Sequence, residues 1–459
     1  MAYSFDAVVV GAGVAGLNAA WVLAKKGFKT ALIDSKPREK IGERACGDAI
    51  AKYHFDELGW FPPKNVINHY YKGVKVVSPS KLYEVIVPGE GVSVDSLKFG
   101  QWLLKRALDE GVELLDNHTL LKVRYDSDGV KAVYVKEKGK PGLKEVIAKA
   151  FIDASGARPA LRLKLPEDWP ISEKPYITDY NLAYREVIEV EEPVRDEDKD
   201  YAIIYLDTEI APGGYWWYFP KESGRIVNIG LGVVWSTKGY NPYHQYVKYL
   251  KNLCKGRVIH SGGGLVPTRR PLPTLVWRNV GVAGDAAYTV NPIHGGGRAS
   301  SMLSGTIVAK HIANALEYGK INEETLWDAN KEYMLVYGSK QAGLDVLRMY
   351  LQKLSNEDFE FLLKKRIVDG RLISEIGEKG NLAEEIVSTI KAVIALLGKP
   401  SLLNQLRIVK KYMEEAKKMY LEKYPHTPKD FKKWIKEAEK LFDDFRKIIG
   451  YDPGPKVPW

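Results

Sequence analysis

Cysteine is scarce in this sequence, which contains only Cys46 and Cys254. The two residues form no Cys-x-x-Cys pair, so neither a disulfide framework nor a zinc site is predicted, and we expect no metal. So few cysteines are typical of a protein from a reducing compartment. We therefore expect a cytoplasmic protein, and we expect Cys254 to be structural.

No signal peptide is predicted either, because no basic segment precedes the first apolar run. The uncharged stretch 7–24 is long enough for a membrane span, but its three glycines and Asn18 favour a strand, a turn and a helix. The formal charge is +10, and no block of like charge concentrates it. A solvated basic surface is therefore favoured, and no nucleic-acid partner is expected.

What the sequence does contain is a Gly-x-Gly-x-x-Gly turn, Gly11 to Gly16, between a β-branched run and a helical stretch. In such a turn Gly11 permits the tight bend, Gly13 lets the backbone approach a pyrophosphate, and Gly16 allows close helix packing. Asp34 ends the next apolar run and can accept hydrogen bonds from a ribose. The order predicts a dinucleotide site at a helix N-terminus, and the alternative is a glycine-rich turn without a ligand.

A second glycine-rich segment follows another apolar run and begins with Gly284 and Asp285. A carboxylate there suits a polyol chain, and the N–H groups of Gly296 and Gly297 can face a flavin ring. A helix N-terminus beside that ring would stabilise the anion formed on reduction. NAD has no ribityl chain that needs this second contact, so the two segments together indicate FAD. The alternative is that Asp285 only caps a turn.

Strand and turn signals predict an α/β fold combined with an α+β fold. Runs such as 201–206, 215–220 and 225–234 are separated by glycine- and proline-containing turns and predict antiparallel strands. Three parts are expected: a discontinuous, Rossmann-like FAD-binding domain (1–60, 95–164 and 274–320), an antiparallel-sheet substrate domain (61–94 and 165–273) and a helical C-terminal region (321–459).

Five consecutive aromatic residues occupy 215–219. The period of two in a strand puts Tyr215, Trp217 and Phe219 on one face, and the two intervening rings on the other. One face could line an apolar channel and stabilise cation character through its rings. Alternatively, both faces pack in a core, as aromatic side chains usually do.

These segments resemble the flavoprotein superfamily of aromatic hydroxylases such as p-hydroxybenzoate hydroxylase. Within it the sequence is most similar to the geranylgeranyl reductases, particularly the archaeal digeranylgeranylglycerophospholipid reductases. The Tyr-x-Trp-x-Phe-Pro pattern at 215–220 is the part most specific to the reductases. The other matching segments are 11–16, 44–48, 267–271, 284–297, 338–342 and 351–355.

The resemblance implies an FAD-dependent reductase that saturates C=C bonds of geranylgeranyl chains on archaeal ether phospholipid precursors, by hydride from flavin N5 plus a proton. The alternatives are an FAD-dependent hydroxylase of a small aromatic substrate and a non-catalytic, flavin-containing lipid carrier. A separate electron donor is expected. An isoprenoid lipid substrate also suggests peripheral contact with the inner membrane surface, through amphipathic stretches such as 412–423 and 431–449. Alternatively, these stretches form a covering helical layer.

The resemblance also implies site residues. The expected FAD contacts, besides the glycines, Asp34 and Asp285 named above, are Ala15, Arg44, Ala45, Cys46, Gly47, Gln101 and Arg298. Tyr215, Trp217 and Phe219 are expected to bind the substrate. Cys46, Tyr215 and His294 are candidate catalytic residues, although a lone cysteine is more often a small buried side chain. Arg269 and Arg270 could bind a lipid phosphate or brace domains, and bracing is favoured.

Overall fold

A computed structural model of the protein describes residues 3–379 and 400–459, with side chains for 3–377 and 404–459. Two eight-stranded sheets make up its β-structure. The strands, in chain order, are β1 (Tyr3–Val10), β2 (Thr30–Ile33), β3 (Ala49–Ala51), β4 (Ile67–Val77), β5 (Glu84–Val94), β6 (Glu113–Leu115), β7 (His118–Asp126), β8 (Gly129–Glu137), β9 (Lys144–Asp153), β10 (Tyr180–Val190), β11 (Tyr201–Tyr205), β12 (Tyr215–Lys221), β13 (Ile226–Val234), β14 (Gly256–Pro267), β15 (Val276–Trp277) and β16 (Val280–Val282).

The α-helices cover the sheets and form most of the second half of the chain. In chain order they are α1 (Val14–Lys25), α2 (Tyr53–Leu58), α3 (Ser96–Asp109), α4 (Pro242–Tyr249), α5 (Arg298–Glu317), α6 (Glu323–Tyr333), α7 (Ser339–Leu351), α8 (Asn356–Lys364), α9 (Gly370–Lys379), α10 (Pro400–Leu421) and α11 (Phe431–Ile449). A π-helical turn, Met334–Gly338, joins α6 to α7.

The first sheet has the order β15-β16-β9-β1-β2-β6, and β7 and β8 extend it beside β9. Strand β1 pairs in parallel with both β2 and β9. Its run Ala7, Val8 and Val9 is fully buried, because strands covered on both faces need apolar residues without alternation. Helices α1 and α5 approach closely at Gly305, where an added Cβ would lie 2.4 Å from the carbonyl oxygen of Ala15. The predicted Rossmann-like arrangement is thus confirmed.

The second sheet has the order β14-β10-β13-β12-β11-β4-β5-β3 and is mostly antiparallel, as predicted. One pair differs from that expectation, because β11 runs parallel to β4. The chain passes through the first sheet between these two strands, so it does not return by a hairpin. Strand β3, which falls within the segment 1–60 of the predicted FAD-binding domain, pairs with β5 in this sheet. The domain division stays a prediction.

The helical region packs onto both sheets. Helix α11 buries one face, with Phe431, Trp434 and Phe442 among its core residues. A segment after it reaches the second sheet, where Val457 N–H donates to the carbonyl of Pro175 and the ring of Trp459 lies 5.9 Å from that of Tyr180. None of the helices in the two described ranges combines the length and apolar character that crossing a membrane requires.

Candidate active site

The glycine turn after β1 has the predicted geometry. Gly11 has a φ of +102°, and a Cβ added there would lie 2.4 Å from the carbonyl oxygen of Ala154. A Cβ on Gly16 would lie 1.8 Å from the carbonyl oxygen of Gly11. Beside Gly13, by contrast, nothing lies within 4 Å of that position. The backbone at Gly13 therefore borders open space, as the approach of a pyrophosphate requires.

Helix α1 begins at this turn without a side-chain cap on Gly13 and without an acidic residue in its first turn. Its positive dipole end is therefore not neutralised by a cap or by its own first turn. Asp34 accepts hydrogen bonds from Ala12 N–H (2.7 Å) and Lys36 N–H (2.8 Å). These contacts fix the carboxylate at the edge of the turn, and its role as a ribose acceptor stays a prediction.

The second glycine segment repeats these features at α5. This helix begins after Gly297 with neither a side-chain cap nor an acidic first turn. Asp285 lies next to that start, since a Cβ on Gly297 would be 3.4 Å from its Oδ1. Burial raises the pKa of Asp285, and Arg44, 3.8 Å away, opposes that effect. Two uncapped helix N-termini, open space at Gly13 and a carboxylate between them fit FAD.

A cavity of about 1020 Å³ lies beside the second segment, between the second sheet and the C-terminal helices. Tyr215, Trp217 and Phe219 line it, whereas Trp216 and Tyr218 do not. Trp216 points to the opposite face, where its ring stacks on Tyr205 at 3.7 Å. The predicted alternation is confirmed. Much of the remaining wall is apolar and includes Val74, Val85, Leu347, Phe359, Leu362 and Ile376.

Cys46 also lines this cavity and is half-buried. Its Sγ lies 3.5 Å from Nε of Arg298, which donates a weak hydrogen bond to it. Burial alone would raise the pKa of the Cys46 thiol, but Arg298 and Arg44 outweigh burial and keep that pKa below its usual value. The same Arg298 pairs with Asp48 at 2.7 Å.

His294 and Tyr215 meet at the cavity. The Tyr215 hydroxyl donates to the carbonyl oxygen of His294, and burial raises the pKa of this hydroxyl. The His294 ring faces the cavity, and its Nδ1 accepts from Gly296 N–H at 3.1 Å. Desolvation by the surrounding protein has the largest effect on His294, followed by the charges of His54 and Lys340. Together they lower the pKa of His294 to about 4. The neutral ring therefore carries its proton on Nε2.

Comparison with known proteins identifies the family of this chain. The profile of the geranylgeranyl reductase catalytic domain matches residues 179–266, and that of FAD-dependent oxidoreductases matches 6–157. A digeranylgeranylglycerophospholipid reductase of Sulfolobus acidocaldarius is 40% identical over 451 residues, which cover 97% of this chain and 99% of that protein. The chain belongs to the digeranylgeranylglycerophospholipid reductase family. It is an FAD-dependent oxidoreductase, so the predicted family and cofactor are confirmed.

One further relative is also a geranylgeranyl reductase, and two solved structures share the fold. A geranylgeranyl diphosphate reductase of Rhodobacter capsulatus is 28% identical and covers 77% of this chain and 85% of its own length. A geranylgeranyl bacteriochlorophyll reductase-like protein of Thermoplasma acidophilum has a TM-score of 0.74 at 24% identity, over 89% of this chain and all of that one. A myxobacterial chondrochloren halogenase shares the fold at a TM-score of 0.62 and 16% identity, over 85% and 97% of the two chains.

Two further predicted FAD contacts of this family member have other partners in the structure. The Gln101 amide donates to the carbonyl oxygens of Arg38 and Ile41, both at 2.8 Å, so it fixes the loop that leads to Cys46. A Cβ on Gly47 would lie 3.0 Å from the Phe219 ring, so glycine allows this loop to contact the aromatic strand. Their contacts with FAD stay predictions, as do those of Ala15, Ala45 and Arg298.

Arg269 and Arg270, by contrast, brace the structure as predicted. Arg269 pairs with Glu173 at 2.9 Å, and Arg270 pairs with Asp345 of α7 at 3.0 Å. All three of Arg269, Arg270 and Asp345 are buried. The Arg270 pair joins the segment after β14 to helix α7, and the Arg269 pair joins the same segment to Glu173, which precedes β10.

Sequence reasoning missed the polar residues around the Cys46 loop. Asp48 pairs with Lys221 at 2.6 Å, and Asn228 donates to the carbonyl of Cys46 at 2.7 Å. The indole N–H of Trp217 donates to the same Asn228 at 3.0 Å. One signal was present in the sequence, because Lys221 continues the alternation of the aromatic face.

Proposed function

We propose that this chain saturates C=C bonds of geranylgeranyl chains on archaeal ether phospholipid precursors in an FAD-dependent reaction. The observation that carries the proposal is the large apolar cavity whose wall combines Tyr215, Trp217 and Phe219 with the glycine segment 291–298. The predicted FAD contacts Arg44, Asp285 and Gly297 line the same cavity, so the flavin would occupy part of it, and the apolar wall beyond suits an isoprenoid chain better than a small phenol. The relative that is 40% identical is a digeranylgeranylglycerophospholipid reductase, which agrees with this substrate.

The residues of the cavity would act on the substrate in two ways. The apolar wall of the cavity would exclude water and orient the isoprenoid chain. The flavin would supply a hydride when it is bound. An isolated trisubstituted alkene accepts hydride poorly unless positive charge develops at its tertiary carbon. The ring faces of Tyr215 and Trp217 can stabilise such charge.

The proton would come from one of three residues at the cavity. Tyr215 keeps its proton at neutral pH because burial raises its pKa, and neutral His294 carries one on Nε2. Cys46 is the third candidate. The variants Cys46→Ser, Tyr215→Phe and His294→Gln test each one, and unchanged turnover with the flavin still bound eliminates that residue as the donor.

We also propose that a separate reductant supplies the electrons. The two cysteines fall short of the four thiolates that most iron–sulfur clusters take, and no cluster of His, Cys, Asp and Glu in the described part of the chain could hold a metal. Peripheral contact with the inner membrane surface would give access to a lipid substrate. Helix α11 does not offer its apolar face for this contact, because Trp434, Phe442 and Phe445 are buried within the protein.

The test is anaerobic reduction of the bound flavin, followed by addition of a geranylgeranyl lipid or of a phenol. We expect reoxidation with the lipid only, and lipid products heavier by two hydrogens per bond reduced. Trp217→Leu should slow this reoxidation roughly tenfold, since a ring that stabilises positive charge is lost. Trp216→Phe, on the other face of β12, is the matched control.

A hydroxylated product formed from oxygen and a phenol would show that the alternative hydroxylase function is correct, and no reoxidation by either would favour a lipid carrier.

A further inference from the structure

The loop 44–48 runs beside the cavity, and the second sheet contacts it at alternate residues. Asn228 of β13 donates from Nδ2 to the carbonyl oxygen of Cys46 at 2.7 Å. Lys221 of β12 contacts the carboxylate of Asp48 at 2.6 Å. Asn228 and Lys221 are both buried, so these contacts are shielded from water. The backbone of the loop and the side chain at its end are therefore fixed by the same sheet.

Helix α5 contacts the loop through one guanidinium. Arg298 donates from Nη2 to Asp48 Oδ1 at 2.7 Å and from Nε to Cys46 Sγ at 3.5 Å. Ser96, at the start of α3, also donates to Asp48. Thiol and carboxylate thus share Arg298, and a stronger contact with one leaves less of its charge to the other.

Positive charge exceeds negative charge at this point. Among the contacts of Asp48, two cations, Arg298 and Lys221, meet one carboxylate. The groups that face Cys46 are Arg44 and Asp48 of its own loop, Arg185 of β10, Tyr215 of β12 and Arg298 of α5. Burial and the Asp48 charge raise the pKa of Cys46, and Arg298 and Arg44 lower it by more.

We propose that Asp48 is a positioning residue that divides Arg298 between itself and Cys46, and so sets the fraction of Cys46 present as thiolate. The backbone at Asp48 supports the choice of residue, since its φ of 68° lies in the left-handed region, where asparagine and aspartate are the favoured non-glycine residues. Asp48→Asn therefore keeps the conformation and removes the charge.

Two variants should move the ionisation of Cys46 in opposite directions. Asp48→Asn removes a negative charge, so more of the Arg298 charge acts on the Cys46 thiol. The midpoint of Cys46 ionisation should therefore fall by about one pH unit. Lys221→Gln leaves Arg298 as the only cationic contact of Asp48 among the described residues, so the midpoint of Cys46 ionisation should rise by a similar amount. If Asp48 and Lys221 only held the loop 44–48 in place, both variants would loosen the loop. The midpoint of Cys46 ionisation would then not shift in opposite directions.

The measurement is the pH dependence of alkylation by iodoacetamide in the FAD-loaded protein, followed on the Cys46 peptide by mass spectrometry. Cys254 is an internal control, because burial raises its pKa to about 11 and its profile should stay unchanged. Asp198→Asn is the control variant, since Asp198 also contacts a lysine, Lys75, at 2.6 Å but lies in the loop between β10 and β11.

Opposed shifts for Asp48→Asn and Lys221→Gln, with no shift for Asp198→Asn, would support the proposal. Unchanged midpoints, shifts of the same sign, or a Cys46 that is not alkylated at any pH would overturn it. If Asp48→Asn does not fold, Lys221→Gln alone still decides the sign. No lipid takes part, so failure here leaves the proposed reductase function standing.

Discussion

Two buried groups of charged residues differ in how fully their charges are paired. The bracing cluster matches three guanidiniums with three carboxylates and consists of Arg269, Arg270, Arg348, Glu173, Asp179 and Asp345. The loop cluster consists of Asp48, Lys221 and Arg298, in which two cations meet one carboxylate beside the cavity.

The difference separates a structural role from a role in the site. Burying charge is costly, and a balanced network recovers most of that cost, so the bracing cluster, of which Arg348 reaches the cavity wall, mainly connects parts of the molecule. The loop cluster leaves positive charge next to the Cys46 thiol and the cavity. Incomplete pairing at a cavity therefore indicates a group that acts on its neighbours.

The largest effect should follow from breaking the bracing cluster. Asp345→Ala leaves Arg270 and Arg348 buried with too few partners, and we expect a loss of about 3–5 kcal/mol in the free energy of unfolding. Denaturant unfolding of the FAD-loaded protein measures it. Glu317→Ala, which removes the exposed pair with Lys26, should cost less than about 1 kcal/mol. Equal costs for the two would contradict the bracing role.

Acid should weaken the same cluster, by less than the substitution does. Although burial opposes it, Arg348 and Arg270 lower the pKa of Asp345 from 3.8 to about 2. A carboxyl whose pKa is lower in the folded protein stabilises it above pH 4, and this stabilisation is lost as the pH falls towards 2. Unfolding between pH 5 and 2 should show this loss, and Asp345→Ala should show a flatter dependence.

A smaller cost in stability is expected in the loop cluster. Lys221→Gln removes one contact of Asp48 but keeps its contact with Arg298. The free energy of unfolding should therefore fall by about 2 kcal/mol. The same denaturant experiment compares it directly with Asp345→Ala. A loss as large as in Asp345→Ala would mean that the loop cluster is also mainly a brace.

The smallest effect is expected at His294, which belongs to neither cluster. Its pKa of about 4 keeps the ring neutral at ordinary pH. Because the ring does not titrate there, His294→Gln should leave the shape of the pH profile of activity unchanged between pH 6 and 8, whatever it does to the rate. A lost ionisation in that range would show that His294 titrates near neutrality.

The local patterns predicted much of the fold and the FAD end of the site. The turn at Gly11 to Gly16 lies between neighbouring elements, β1 and α1, so its geometry follows from a short stretch of sequence. The face shared by Tyr215, Trp217 and Phe219 likewise follows from the period of one strand.

The loop cluster was missed because no local pattern unites it. Asp48, Lys221 and Arg298 come from three distant segments, and only the pairing of the strands and the start of α5 bring them together. The parallel pair of β4 and β11 was missed for the same reason, since register between distant strands is not encoded in either strand alone.

The contact of 455–459 with the second sheet has a consequence for biosynthesis. Ile177 N–H donates to Pro455, and Trp459 packs its ring beside Tyr180 and Trp235. The segment 455–459 is synthesised long after the sheet residues have left the ribosome. The rings of Tyr180 and Trp235 therefore lack this cover until residues 455–459 have been synthesised.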